Sequence, residues 1–274
     1  MVKHPLVSVI IPTFRSGSTL EKCLASIKNQ KKANVEIITV DEFSRDLTPA
    51  IARKYGKFYQ IKGERSVARN FGASKARGAY LLFIDSDMVL DPNIVSSSIK
   101  TSQFKKAVVI PEVSIGTGFW SECRILERKC YFGNDAVEAA RFFPRKMFQS
   151  LGGYDEAMAG VEDWDIHQRT LKKQFPVARI SETVVHNEGN IRLFKVLKKK
   201  FYYGQVFDKY RKRHPQAFRN AFFRTSFFKN MHVFLGDPVH TVGILFMKGL
   251  DGIVILLGMV QGILYGYDAK KHYR

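Results

Sequence analysis

The sequence predicts an α/β fold with a mostly parallel sheet over its first two-thirds. Three observations predict it: residues 6–11 form a short β-branched apolar run, helical and strand patterns alternate after it, and a second apolar run at residues 79–84 ends in acidic residues. A strand without polar alternation is buried on both faces, which is typical of central strands in parallel sheets. Strands that alternate with helices indicate βαβ units.

The other elements follow from apolar spacing and turn residues. Helices are predicted through Leu20, Leu24 and Ile27, over residues 44–55 with Pro49 in the early part, and through Val67, Phe71 and Ala76 to Gly78, with a strand at 35–40 between the first two. Farther on we expect a helix at 93–104, a strand at 107–110, a helix ending at Lys173 and a strand at 177–186. Residues 89–132 have a mixed pattern and are expected to complete the sheet.

Composition narrows the possible classes of protein. The chain has 274 residues, 45% of them hydrophobic, which is enough for a sizeable core and excludes disorder as the main state. Three cysteines are too few for a disulfide scaffold, and no signal-peptide pattern opens the chain, so we expect a reduced, cytosol-facing location. A net charge of +19 indicates anionic partners, such as phosphorylated molecules, nucleic acid or an acidic membrane.

A boundary is predicted near residue 190, because basic residues dominate from there to Arg213. Residues 1–190 are expected to form the α/β domain and residues 191–274 a helical region. Leu193, Leu197 and Phe201 have helical spacing among lysines, which predicts a basic amphipathic helix at an anionic membrane surface.

Residues 239–267 are nearly all apolar and long enough to enter a bilayer. Gly258, Gly262 and Gly266 have the four-residue spacing that lets membrane helices approach closely. Lys248 and Asp251 could pair with each other or mark a break, so spanning and interfacial insertion both remain open. A helical subdomain packed on the core is the alternative. The basic residues that precede this apolar segment favour a location of the α/β domain on the cytoplasmic side of the membrane.

The acidic pair Asp85 and Asp87 lies at the end of the strand at 79–84, where ligands bind in open α/β sheets. Two aspartates around one residue can point at one hard cation, and Mg²⁺ and Mn²⁺ prefer oxygen ligands. A helix cap or turn is the alternative interpretation of these residues.

Five motifs, taken together and in order, resemble glycosyltransferase family 2 over about residues 6–190. They are the run at residues 7–13, Asp41, the segment at 68–72, the triplet Asp85-Ser86-Asp87, and the pair Glu162-Asp163. The resemblance implies a GT-A fold, a nucleotide-diphosphate-sugar donor, a divalent metal and inversion at the anomeric carbon.

The resemblance also implies residue roles in donor binding. The loop with Pro12, Thr13 and Phe14 is similar to the family's base-contacting loop, and Asp41 to its base-binding carboxylate. A carboxylate accepts N–H donors from uracil or guanine, so Asp41 leaves the nucleotide open. Glu42 and Phe43 depart from the small residues that usually follow.

A second group of residues is expected around the phosphates and the metal. Arg69 and Asn70 match the segment that holds phosphate or ribose oxygens, with Arg65 as a further candidate. Asp85, Ser86 and Asp87 are expected at the diphosphate. His186 is placed like a histidine that completes the metal shell in some members, which favours Mn²⁺ over Mg²⁺.

Glu162-Asp163 resembles the family's acidic motif, in which the aspartate is the general base. Inversion needs one base on the face opposite the leaving group, so Asp163 is expected to take the acceptor hydroxyl's proton. Trp164 and Glu162 are expected at the acceptor pocket, and Glu162 and Asp165 are alternative bases. An acid-rich helix N-terminus is the structural alternative.

The sequence therefore predicts a metal-dependent, membrane-associated hexosyltransferase that uses a GDP- or UDP-sugar, with mannose or glucose favoured. The expected acceptor is a polyprenyl phosphate or a lipid-linked glycan. A processive polysaccharide synthase is less favoured, because several long membrane spans and a Gln-x-x-Arg-Trp motif are missing from the sequence. A basic nucleic-acid-binding protein is disfavoured because no nucleic-acid motif is found, and a nucleotidyltransferase because a Gly-rich N-terminal loop is missing.

Overall fold

A computed structural model describes residues 4–134, 137–222 and 230–266 of the protein. Residues 223–229 and 267–274 of the predicted C-terminal region, including Tyr267 of the predicted apolar segment, lie outside the described residues. The described strands are β1 Leu6–Thr13, β2 Asn34–Asp41, β3 Lys57–Gln60, β4 Tyr80–Phe83, β5 Met88–Leu90, β6 Ala107–Val109, β7 Glu112–Gly116, β8 Ala140–Pro144, β9 Val177–Arg179 and β10 Val184–Gly189.

The helices connect and follow these strands. They are α1 Leu20–Lys28, α2 Thr48–Tyr55, α3 Arg65–Lys75, α4 Ile94–Ser102, α5 Phe119–Lys129, α6 Arg145–Ser150, α7 Glu162–Lys172, α8 Leu193–Arg213, α9 Pro215–Phe222, α10 Met231–Leu235 and α11 Pro238–Tyr265. The chain divides into two compact units. The first contains residues 1–112, 139–156 and 166–186, and the second contains residues 113–138, 157–165 and 187–274.

The first unit is built on a seven-stranded sheet of order β3-β2-β1-β4-β8-β6-β9. All neighbouring pairs are parallel except those made by β8, which runs antiparallel to β4 and to β6. This confirms the predicted α/β class with a mostly parallel sheet. A second, three-stranded sheet has the order β5-β10-β7.

The apolar opening strand is central and buried on both faces, as predicted. Val9 and Ile11 belong to the core on the side of α1, whereas Ile10 belongs to the core on the side of α3. Helix α3 lies so close to β1 that a Cβ on Gly72 would approach within 2.5 Å of Ile10. That contact requires glycine at this position.

Several predicted boundaries are wrong for identifiable local reasons. The helix predicted from residue 44 begins at Thr48, because the Ser44 N–H and hydroxyl both bond to Asp41 instead. The helix at 93–104 ends at Ser102, where Gln103 and Phe104 take left-handed φ values of 44° and 62°. The single strand predicted at 177–186 is two strands, β9 and β10, which belong to different sheets.

The second unit is helical in its C-terminal part. Helix α8 confirms the predicted basic helix, and it packs along α11, which is continuous from Pro238 to Tyr265. The predicted boundary near residue 190 lies close to the last crossing between the units, at residues 186–187. Two earlier segments also belong to this unit.

Candidate active site

The carboxyl ends of β1, β2 and β4 lie at one edge of the seven-stranded sheet. Asp41, at the end of β2, is fully buried. Its carboxylate accepts hydrogen bonds from the Thr13 hydroxyl (3.0 Å), the Ser44 N–H (2.8 Å) and hydroxyl (2.6 Å), and the Gln60 amide (3.1 Å). A carboxylate has about four acceptor sites, so protein donors fill those of Asp41. The base contact implied for it stays a prediction.

The loop after β1 exposes an aromatic face. Pro12 and Thr13 are buried, whereas Phe14 is 42% exposed, with the Arg15 guanidinium 5.1 Å from its ring centre. Ser16 continues the loop and its hydroxyl lies 2.8 Å from that of Ser86. The loop predicted to contact the base is thereby tied to the acidic pair.

Glu42 and Phe43, which depart from the family pattern, follow Asp41 at this edge. Phe43 is exposed and has a φ of 49°. Burial and the charges of Glu64 and Asp41 raise the pKa of Glu42, against an opposing hydrogen bond from the Gly63 N–H.

Asp85 is held by two arginines. Arg69 Nη2 donates to Asp85 Oδ1 at 2.7 Å, and Arg141 Nη1 lies 3.6 Å from Oδ2. Burial alone would raise the pKa of Asp85, but the charges of Arg69, Arg141 and Arg65 hold it well below its usual range. Asp85 is therefore ionised and already paired with cations from the protein.

Asp87 differs from Asp85 in its partners. Its Oδ2 lies 3.2 Å from His186 Nε2, and its Oδ1 is buried with no hydrogen-bond partner among the described residues. A buried carboxylate oxygen without a donor is unfavourable unless a ligand satisfies it. Asp87 Oδ1 is therefore an oxygen of this edge that a further ligand could satisfy.

Glu112 orients the ring of His186. Glu112 Oε1 lies 2.6 Å from His186 Nδ1, and Arg141 Nη2 donates to Glu112 Oε2 at 2.9 Å. Burial would lower the pKa of His186, but its hydrogen bonds to Asp87 and Glu112 raise it to about 10. The contacts form one chain of alternating charge, in the order Arg69, Asp85, Arg141, Glu112, His186 and Asp87.

Glu112 and Arg141 were not identified from the sequence. Glu112 comes just after the predicted strand at 107–110, and the carboxyl end of a strand is a position where ligand-binding residues collect. That rule could have found it. Arg141 lies on β8, an unpredicted strand, so its place beside Asp85 had no signal in the sequence.

Cys23 of α1 lies beneath the acidic pair. Its thiol donates to the Asp85 carbonyl oxygen at 3.6 Å, and it is fully buried. Burial, with the charges of Asp87 and Asp85, raises the pKa of this thiol far above its usual range. Cys23 is thus a neutral packing residue.

Asn70 has a different partner from the one implied for it. Its amide oxygen accepts the Tyr154 N–H at 2.9 Å, and its amide nitrogen donates to the Tyr154 carbonyl at 2.9 Å and to Glu156 at 3.1 Å. These bonds fix the turn that begins at Gly152 and Gly153, both with positive φ. The donor contact implied for Asn70 stays a prediction.

The acidic run lies in the first turn of α7, in the second unit. Glu162 is buried and Asp163 is partly exposed. The Trp164 indole donates to the Val137 carbonyl at 2.9 Å. Asp165 is fully buried and contacts His214 (2.9 Å) and Arg213 (3.1 Å), which ties α7 to the end of α8. Asp165 therefore has a structural role, whereas the role implied for Asp163 stays a prediction.

The residues around Asp87 fit a divalent cation. Asp87 offers a buried oxygen with no donor in the part of the chain that the structure describes, and His186 directs Nε2 to the same side chain. Its other ring nitrogen contacts a carboxylate, an arrangement typical of metal-bound histidines. Oxygen and imidazole donors together suit Mn²⁺.

Comparison with known proteins agrees with this architecture. The model of the family "Glycosyl transferase family 2" matches residues 8–153. The uncharacterized glycosyltransferase RT0329 of Rickettsia typhi is 33% identical over 195 residues, which cover 61% of this chain and 59% of that protein. Over this protein and three other curated relatives, the chain spans 34% to 59% of their lengths.

Two solved structures share the fold. The mannosyltransferase PcManGT from Pyrobaculum calidifontis, in complex with GDP-Man and Mn²⁺, aligns with 96% of this chain and 88% of its own, with a TM-score of 0.63 and 14% identity. S. aureus TarS 1-349, in complex with UDP, aligns with 98% of this chain and 93% of its own, with a TM-score of 0.52 and 15% identity.

Proposed function

Because the chain belongs to glycosyl transferase family 2 and has the GT-A fold, we propose that it is an inverting hexosyltransferase that uses a nucleotide-sugar donor. The donor is a GDP- or UDP-sugar, with mannose or glucose favoured. Its acceptor is lipid-linked, either a polyprenyl phosphate or a lipid-linked glycan. The chain works at a membrane with its α/β domain on the cytoplasmic side.

One observation carries this proposal: the buried oxygen of Asp87 beside His186, which has no hydrogen-bond partner within residues 4–134, 137–222 and 230–266. Asp87 and His186 would hold a divalent cation, with Mn²⁺ favoured over Mg²⁺, and Asp85 would lie next to it. When bound, such a cation neutralises the charge that develops on a departing diphosphate. The presence of GDP-Man and Mn²⁺ in PcManGT supports this assignment.

The residues that hold the acidic pair prepare the site for a diphosphate. Arg69 and Arg141 keep Asp85 ionised and fixed, and Glu112 fixes the ring of His186. A site whose charges are fixed before the substrate binds loses little energy in reorganisation during the reaction. The exposed ring of Phe14 offers a face for the nucleobase, and the implied contacts of Asp41, Asn70 and Ser86 belong to the same proposal.

In the proposed reaction, an acceptor oxygen attacks the anomeric carbon from the face opposite the diphosphate. The new carbon–oxygen bond forms as the bond to the phosphate oxygen breaks, and the nucleoside diphosphate leaves. When the acceptor is a hydroxyl, the Asp163 carboxylate takes its proton. Glu162 and Trp164 belong to the acceptor side of this proposal, by the resemblance of their motif.

The test is a transfer assay on detergent-solubilised protein, with UDP- and GDP-hexoses, Mn²⁺ and, in separate reactions, a polyprenyl phosphate or a lipid-linked glycan as the acceptor. We expect release of one nucleoside diphosphate that stops with EDTA. Asp163→Asn should lower transfer of the hexose to the lipid-linked glycan by about 10²- to 10⁴-fold, the usual contribution of a general base. Asp91→Asn is the matched control. Turnover that is unaffected by EDTA, or full glycan transfer by Asp163→Asn, would exclude this mechanism.

A further inference from the structure

Helix α11 carries an apolar stripe on its outer side. Exposed large apolar residues recur every three or four positions in each half of the helix, with the exposed Gly249 between the halves, and they include Val239, Val242, Phe246, Ile253, Leu256 and Val260. The stripe covers about 25 residues, or roughly 38 Å at about 1.5 Å per residue. Exposed apolar stripes of this size mark an interaction surface.

The charged residues of α11 face the protein instead. Lys248 Nζ lies within an ion-pair distance of Glu127 of α5, and Asp251 lies 3.7 Å from Lys248 and 3.9 Å from Lys200 of α8. Asp251 is only 3% exposed. The two charges therefore do not interrupt α11, and they lie on the side opposite the stripe.

Helix α8 runs beside α11 in the same direction. Lys200 lies next to Asp251, Gly204 next to Ile255 and Gly258, and Gln205 next to Gly262. A Cβ added to Gly262 would come within 2.3 Å of the Gln205 carbonyl oxygen, and one on Gly258 would collide with Phe201. The glycines predicted to permit close helix contact thus join α11 to α8. Gly266 instead ends α11.

This partnership restricts the orientation of α11 in a bilayer. By length and composition alone α11 could cross a membrane. Crossing would carry the attached part of α8 into the hydrocarbon, including Lys200, which lies beside Asp251 at the middle of α11, and its neighbours Lys198 and Lys199. Charged side chains are strongly unfavourable there.

We propose that α11 lies in the plane of an anionic membrane surface and inserts only its apolar stripe. The inference deepens the membrane association within the proposed function and rests on it. Exposed lysines on α8, such as Lys195 and Lys198, supply the complementary charge for anionic headgroups. Helices of this kind bury one face about 5–10 Å into the boundary between headgroups and acyl chains.

Site-directed spin labelling tests this orientation in the full chain. Val242→Cys, Ile253→Cys and Val260→Cys are labelled with a nitroxide and bound to vesicles of phosphatidylcholine and phosphatidylglycerol. The native cysteines are buried, so the wild-type protein is the labelling blank. Power saturation with oxygen then reports the depth of each label. We expect one shallow depth at all three positions.

A crossing helix gives a different depth profile. Val242 and Ile253 are 11 residues apart, so a perpendicular helix separates their depths by about 16 Å. That depth difference would overturn the inference. It would also be overturned if the labels showed no lipid contact and their spectra were broadened by labels on a second copy of the chain, because the stripe would then be a dimer interface. The depth measurement needs no substrate, so the two proposals can fail separately. A depth profile typical of a crossing helix, in a protein that still transfers sugar, would exclude only the interfacial orientation of α11. Shallow labels in a protein that binds no nucleotide sugar would exclude the proposed catalytic function.

Charge removal gives a second test. Lys195→Gln and Lys198→Gln should each weaken binding to vesicles that contain phosphatidylglycerol by about fivefold, as expected for one basic residue near an anionic surface. Binding to phosphatidylcholine alone should not change. Lys62→Gln, which removes an exposed lysine of the first unit, is the control. Equal losses in all three variants would contradict the role of α8.

Discussion

Carboxylates at the two edges of the seven-stranded sheet use their oxygens differently. At the amino ends of the strands, Glu36 accepts bonds from the Ser8 hydroxyl (2.6 Å), the Arg77 N–H (2.6 Å) and the Lys57 ammonium (3.1 Å). At the carboxyl ends, Asp87 keeps a buried oxygen without a described donor. Both residues belong to the first unit.

This difference indicates that Glu36 contributes to stability, whereas Asp87 contributes to ligand binding. Glu36 joins four elements through donors that lie at the starts of β1, β3 and β4, so its interactions are complete without a ligand. Asp87 is incomplete among the described residues, and beside His186 a cation is a partner that would complete it. Substitutions at the two edges should therefore affect different measurements.

The largest expected effect is on activity, at Asp87. Asp87→Asn should lower kcat/KM for sugar transfer by about 10²- to 10³-fold, because it weakens the cation site that neutralises the diphosphate. Any loss of thermal stability should be limited to the contact of Asp87 Oδ2 with His186, since Oδ1 has no donor to lose among the described residues. A folded Asp87→Asn protein with wild-type kcat/KM would remove Asp87 from the site.

A smaller effect on metal binding is expected at Glu112. Glu112→Gln should weaken Mn²⁺ binding by about 10- to 100-fold, the usual result of losing a group that orients a metal-bound histidine. Free Mn²⁺ measured by electron paramagnetic resonance gives the affinity directly. Glu36→Gln serves as a control that also replaces a largely buried carboxylate, and unchanged affinity in Glu112→Gln would contradict the orienting role.

Glu36→Gln should act on stability instead. Loss of the charged hydrogen bonds to Lys57 and Arg77 should lower the free energy of unfolding by about 2–3 kcal/mol. Hydrogen bonds from Ser8, Arg77, Lys57 and Gly78 surround the ionised form, and although burial opposes it, they lower the pKa of Glu36 from 4.5 to about 2. Its contribution is present above pH 4.5 and is lost as the pH falls to about 2.

Melting temperatures of the wild type and of Glu36→Gln, followed by circular dichroism between pH 7 and pH 2, would test this. The difference between the two melting temperatures should disappear near the acid end of this pH range. A gap that is constant with pH would contradict the assignment to the Glu36 charge.

The smallest expected effect is at Lys57. Lys57 is 37% exposed, and exposed ion pairs contribute about 0–1 kcal/mol. Lys57→Ala should therefore lower the free energy of unfolding, measured by urea titration, by at most about 1 kcal/mol. A loss as large as that of Glu36→Gln would mean that Lys57, rather than the bonds from Ser8 and Arg77, holds this edge.

The sequence predicts those parts of the fold and site that depend on one segment at a time. The central strand at residues 6–11, Asp85 and Asp87 after a core strand, and the basic helix α8 all follow from local pattern. Very short strands, such as β3 with 4 residues and β5 with 3, have too little periodicity to be recognised, and they form through pairing with distant strands.

Contacts between segments that are distant along the chain had no signal in the sequence. The pairing of Arg141 with Asp85 depends on β8 running antiparallel between β4 and β6, and the bonds of Asn70 depend on a turn about 80 residues later. The difference between Asp85 and Asp87 is of the same kind. The two are equivalent in sequence, and partners from other elements give one a pair of arginines and leave the other open.

In the proposed function, the carboxyl edge of the sheet binds a cation and a nucleoside diphosphate together. Titration calorimetry of Mn²⁺ into the wild type, Asp87→Asn and Glu36→Gln, with and without GDP or UDP, tests it most directly. We expect one Mn²⁺ site whose affinity rises with the nucleotide, kept in Glu36→Gln and lost in Asp87→Asn. Equal Mn²⁺ binding by the wild type and Asp87→Asn would contradict it.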